Sequence, residues 1–62
     1  MRAQDLKNNE TLIVKKERDV FKMHIKEATK ETIYFRNVDI DSSYQRITKS
    51  LFDITFLIIE KL

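Results

Sequence analysis

Few residues in this chain could do chemistry, and most of those that could are basic. Its one histidine, His24, lies in Val20-Phe21-Lys22-Met23-His24-Ile25-Lys26, where polar and apolar residues alternate. An imidazole titrates near neutral pH unaided. Glu17, Asp19 and Glu31 are close in sequence, but none is spaced to aim a carboxylate at His24 across a sheet. Ser42-Ser43 has no base and orienter with which to form a nucleophile, and a helix cap explains the pair better. Asp39 and Asp41 resemble the opening of a calcium loop that lacks its Gly and its distal Glu. With no Cys there are no disulfides or thiolate metal sites, and one His would leave zinc resting on carboxylates. With no Gly there is neither a P-loop nor a dinucleotide fingerprint. Neither catalysis nor a cofactor, metal or small-molecule substrate is expected.

The chemistry that remains is electrostatic. Lys15, Lys22, His24, Lys26, Tyr34 and Arg36 fall on one face if the chain from Thr11 to Val38 forms a sheet. The acids of this region then fall in turns or at strand ends, leaving an outer face that is basic and free of acid. A positive sheet face with aromatic side chains is how sheets hold single-stranded nucleic acid, through phosphate contacts and base stacking. The competing reading is a charged face that only keeps the sheet soluble.

Three strands are predicted, at about 11–16, 20–26 and 32–38, from alternation and β-favouring residues. A helix over Val20 to Glu31 is the alternative for the second. A two-residue turn at Glu17-Arg18 sets Val14 opposite Phe21 and Leu12 opposite Met23. A three-residue loop at Ala28-Thr29-Lys30 sets Ile25 opposite Ile33, Met23 opposite Phe35, Lys22 opposite Arg36 and His24 opposite Tyr34. All the apolar partners then share one face, as a buried face demands.

At Asp41-Ser42-Ser43 the apolar period changes. Tyr44, Ile47, Leu51, Ile54, Ile58 and Leu62 recur at helical spacing, which predicts one helix over about 43–61, capped by Ser42 or Ser43. The alternative breaks it at Phe52-Asp53 and makes Ile54–Ile59 a fourth strand. The expected fold is α+β: a three-stranded antiparallel meander with one C-terminal helix, in a single domain over 1–62. Residues 1–9 form a helical turn or fray.

Phe52, Phe56, Leu57, Ile59 and Leu62 lie outside the helical stripe or at its end, so the helix carries more apolar surface than one sheet can cover. Two readings compete: Leu6 and the N-terminal segment fold over it, or it meets a protein partner or a second copy. A chain of 62 residues buries only about 60% of its unfolded surface, which favours a homodimer.

Glu10-Thr11-Leu12-Ile13-Val14 and Tyr44-Gln45-Arg46-Ile47 resemble short stretches of the carbon-storage regulator family, small dimeric RNA-binding β-proteins with a C-terminal helix. The likeness covers nine residues and lacks that family's glycines and first strand, so no residue role follows from it.

The charge balance, 12 basic against 10 acidic residues, is too even to imply a polyanion partner by itself. The first residues have no apolar core of a signal peptide, and the longest apolar run, Phe56–Ile59, is too short to span a bilayer. A cytoplasmic protein is expected. The leading expectation for function is a non-catalytic regulatory or adaptor protein that binds another protein through its apolar helix. The alternative is a nucleic-acid-binding protein that uses the basic sheet face.

Overall fold

The computed structural model describes residues 1–40 and 42–62. These form a 3-10 turn (Ala3–Asp5), five strands and one short helix: β1 (Glu10–Lys16), β2 (Asp19–Ala28), β3 (Thr32–Asn37), β4 (Gln45–Thr48), α1 (Lys49–Thr55) and β5 (Leu57–Lys61). The strands make one antiparallel sheet in the order β4-β3-β2-β1-β5. The fold is a small α+β domain in which the expected meander is the centre of a wider sheet.

Alternation of Leu12 and Val14 with Thr11, Ile13 and Lys15 drives β1, and Phe21, Met23 and Ile25 do the same for β2. Their register is the expected one, with Val14 opposite Phe21 and Leu12 opposite Met23. The turn is Glu17-Arg18, and Glu17 takes φ 56°, a left-handed conformation that glycine adopts with less strain.

The second hairpin corrects the expected partners. Four residues, Thr29 to Thr32, separate the ladder partners Ala28 and Ile33, held by Thr29 N–H donating to the Thr32 carbonyl at 2.9 Å and Thr32 N–H donating to Thr29 Oγ1 at 3.0 Å. A bulge lies between Ile25 and Glu27. Ile25 therefore faces Phe35 rather than Ile33, Met23 faces Asn37 rather than Phe35, and Arg36 faces His24 rather than Lys22. Tyr34 faces Glu27 rather than His24. The longer loop and the bulge together shift the ladder by two along most of its length, so every apolar residue keeps its expected face.

The long C-terminal helix over 43–61 is replaced by strand, helix and strand. β4 pairs with β3, with Ile33 opposite Ile47 and Thr32 opposite Thr48. The helix cap is Thr48, whose hydroxyl accepts from Leu51 N–H at 3.2 Å, and not Ser42 or Ser43. Ser42 Oγ donates instead to the Asn37 carbonyl at 3.2 Å. Asp41 lies outside the described residues. The helix ends at Phe56, which is extended at φ −119°, ψ 139°.

Packing explains that ending. All four phenylalanines of the chain meet in one cluster, with Phe56 against Phe52, Phe35 and Phe21 at centroid distances of 5.0, 5.6 and 6.1 Å. The contacts to Phe35 and Phe21 are edge-to-face, the arrangement that aromatic quadrupoles favour. The inward residues of the C-terminal arm are Ile47, Phe52, Phe56 and Ile58. Spacings of five, four and two belong to no single period.

Ala3 and Leu6 complete the core from the N-terminal turn, as the reading with Leu6 as anchor expected. Ala3 N–H donates to Asp53 Oδ1 at 2.8 Å, which ties this turn to α1.

Candidate nucleic-acid interface

The outer face of β2, β3 and β4 gathers aromatic and basic side chains. Tyr34 stands on β3 opposite Arg46 of β4. Tyr44 precedes β4, and the alternation Tyr44, Arg46, Thr48 carries its ring to the same face. The two tyrosine rings lie parallel, with centroids 5.8 Å apart and 8° between planes. Lys26 Nζ stands 5.0 Å from the Tyr44 centroid and 5.8 Å from that of Tyr34. The Arg36 guanidinium is 5.7 Å from Tyr44. All three distances lie within the range of cation–π attraction.

The bulge brings Lys26 to this cluster. It inserts one residue between Ile25, opposite Phe35, and Glu27, opposite Tyr34. His24 completes the cluster with its ring edge-on to Tyr44 at 6.3 Å and its Nδ1 3.4 Å from Thr11 Oγ1.

Four of the six expected nucleic-acid residues therefore come together: His24, Lys26, Tyr34 and Arg36. Lys22 lies on the same strand face opposite Ile13, adjoining the cluster. Lys15 does not join it. It pairs with Leu57 at the β1–β5 side and lines a separate groove with Glu17, Asp53 and Ile54.

The expectation of an acid-free face is corrected. Glu27 stands opposite Tyr34, and Glu60 stands opposite Ile13. Glu27 is there because the bulge shifts the pairing, and Glu60 because β5 exists at all. The opposed pair Lys22–Arg36 is absent, and with it the electrostatic frustration that an anion would have relieved.

Tyr44 and Arg46 are not among the expected nucleic-acid residues, because the spacing over 43–61 predicts a helix with Tyr44 in its apolar stripe and Arg46 on its polar side. No apolar alternation marks this strand: Tyr44 and Ile47 stand three apart, as in a helix, with the polar Gln45 and Arg46 between them.

The expected protein interface divides. Phe52 and Phe56 belong to the core, the first fully buried, because they sit where α1 and its C-terminal cap face the sheet. Leu57, Ile59 and Leu62 are exposed.

Among the described residues, no group of three or more His, Asp or Glu side chains is gathered to hold a metal ion, and no helix is long and apolar enough to cross a membrane. Asp39, considered for a calcium loop, accepts from Lys22 N–H at 2.9 Å. Comparison with known proteins gives no match to a family model, a curated protein or a solved structure.

Proposed function

We propose that this chain binds single-stranded nucleic acid on the outer face of β2, β3 and β4. The observation that carries this reading is the parallel Tyr34–Tyr44 pair on a sheet face, with Lys26 and Arg36 close over the rings. Tyrosine faces stack with any base, and flanking cations take the phosphates, so such a platform binds strands with little sequence preference. In the free protein Lys26 and Arg36 rest against the rings. A bound strand replaces these contacts with stacked bases and turns the two cations to the backbone. Arg46 and Lys22 extend the basic track on either side, while Glu27 marks a boundary that phosphates avoid. A cytoplasmic setting goes with this reading.

The adaptor reading loses the long helix on which it rested. It retains one observation in its favour, the exposed Leu51, Ile54, Leu57, Ile59 and Leu62.

The test is fluorescence anisotropy with labelled single-stranded RNA and DNA over a range of salt. Four phosphate contacts give a log–log salt slope of about −2 to −3 on single strands. Tyr44→Ala and Tyr34→Ala should each weaken binding roughly 5- to 150-fold, the equivalent of about 1–3 kcal/mol per stacked base. No binding at low salt, or binding unchanged by Tyr44→Ala and Lys26→Glu, would contradict the reading.

A further inference from the structure

β5 is an edge of the sheet, pairing with β1 on one side. Its other side presents backbone N–H and C=O groups of the kind that recruit a further strand. Beside that edge the chain exposes Ile54 (82%) and Leu57 (63%), with Ile59 on β5 and Leu62 just after it also exposed. Ile54 and Leu57 share a groove with Lys15, Glu17 and Asp53. We infer that this surface, formed by the β5 edge, Ile54 and Leu57, is where a second copy of the chain docks across a two-fold axis.

Charge selects this occupant. The groove carries a cation, Lys15, and acids, Glu17 and Asp53. A surface with both signs is complementary to itself: in an isologous contact, Lys15 of each copy can meet Glu17 of the other while the apolar residues meet near the axis. A membrane surface would favour a cationic rim instead. Asp53 already receives Ala3 N–H, which leaves Glu17 as the acid best placed for the partner's lysine. Glu17 also holds a carboxylate at a φ of 56°, where glycine would relieve strain. A strained non-glycine residue at such a position points to a role for its side chain.

Two β5 edges related by that axis run antiparallel. The tyrosine clusters lie on β3 and β4, at the far side of each sheet, so dimerisation leaves both accessible. The inference is independent of the nucleic-acid reading, since its readout is molecular mass with no nucleic acid present.

Sedimentation velocity of the full chain at micromolar concentrations tests it. Twice the chain mass is expected, falling to the monomer in Ile54→Asp and Leu57→Asp, with far-UV circular dichroism confirming that the sheet is kept. Lys15→Glu should weaken the dimer roughly tenfold or more by placing like charges together, and the reversed pair Lys15→Glu with Glu17→Lys should restore it. A monomeric wild type at high micromolar concentration would overturn the inference. So would a dimer indifferent to Ile54→Asp, or a charge reversal that fails to restore association.

Discussion

The central meander, β1 to β3, and the C-terminal arm, β4 to β5, fold on different physical grounds. In the meander, outside the bulge at Lys26, each residue's face follows from its place in a period of two, and the buried residues Leu12, Val14, Met23, Ile25, Ile33 and Phe35 obey it. In the arm the buried residues obey no period. Phe52 is fully buried while Ile54, two residues on in the same helix, is 82% exposed. The arm takes its shape from where Phe52 and Phe56 must go to meet Phe21 and Phe35. Periodicity organises a segment that lies flat against the core, whereas anchoring side chains organise one that has to turn a corner.

This contrast gives the largest predicted effect. Phe56→Ala removes the ring at the centre of the aromatic cluster, which should cost about 3–5 kcal/mol. That is a large share of the roughly 3–9 kcal/mol available to a domain of this length, so the variant should be unfolded or nearly so by circular dichroism. Ile54→Ala, on the other face of the same arm, should leave monomer stability within about 0.5 kcal/mol. Equal losses at the two sites would show that the arm folds as the amphipathic helix its spacing suggests.

A smaller effect belongs to the meander. Glu17→Gly relieves the left-handed φ at the β1–β2 turn and should raise stability by about 1 kcal/mol. This would be read as a higher urea midpoint at concentrations low enough to hold the chain monomeric. An unchanged or lower midpoint would mean that the Glu17 side chain contributes to the monomer.

The smallest concerns the join between the two regions, where Lys61 of β5 lies 2.6 Å from Glu10 of β1. Burial pushes the Glu10 carboxyl up, but the Lys61 ammonium and the Lys7 backbone N–H outweigh it and hold Glu10 below its ordinary value of 4.5. A carboxyl depressed in the folded state contributes stability above its unfolded pKa and loses it as pH falls through the folded one. Glu10→Gln should therefore be less stable than the wild type at neutral pH. The gap should narrow as pH drops below about 4.5, in paired thermal melts. A pH-independent gap would assign the effect to packing.

The same contrast explains what could be read from the residues alone. The faces of the meander were legible because a one-residue slip would expose its whole apolar set. The partners across β2 and β3 were not, because a shift of two keeps every face, and neither the four-residue Thr29–Thr32 loop nor the Lys26 bulge carries a glycine to mark it. The arm was misread for a related reason. Without Gly or Pro nothing punctuates Thr48 or Phe56, and Ile47, Leu51, Ile54 and Ile58 fit a helical stripe that the fold does not use. The helical spacing hides a third of the candidate site. His24, Lys26, Tyr34 and Arg36 were visible on the meander, while Tyr44 and Arg46 were assigned to a helix.

The most direct measurement is a titration of isotope-labelled protein with a short single-stranded oligonucleotide, followed by amide chemical shifts. The account predicts perturbations concentrated at His24, Lys26, Tyr34, Arg36, Tyr44 and Arg46, with Leu57 to Lys61 at the opposite edge little changed. Shifts centred on β5 and α1, or no shifts at saturating oligonucleotide, would contradict it.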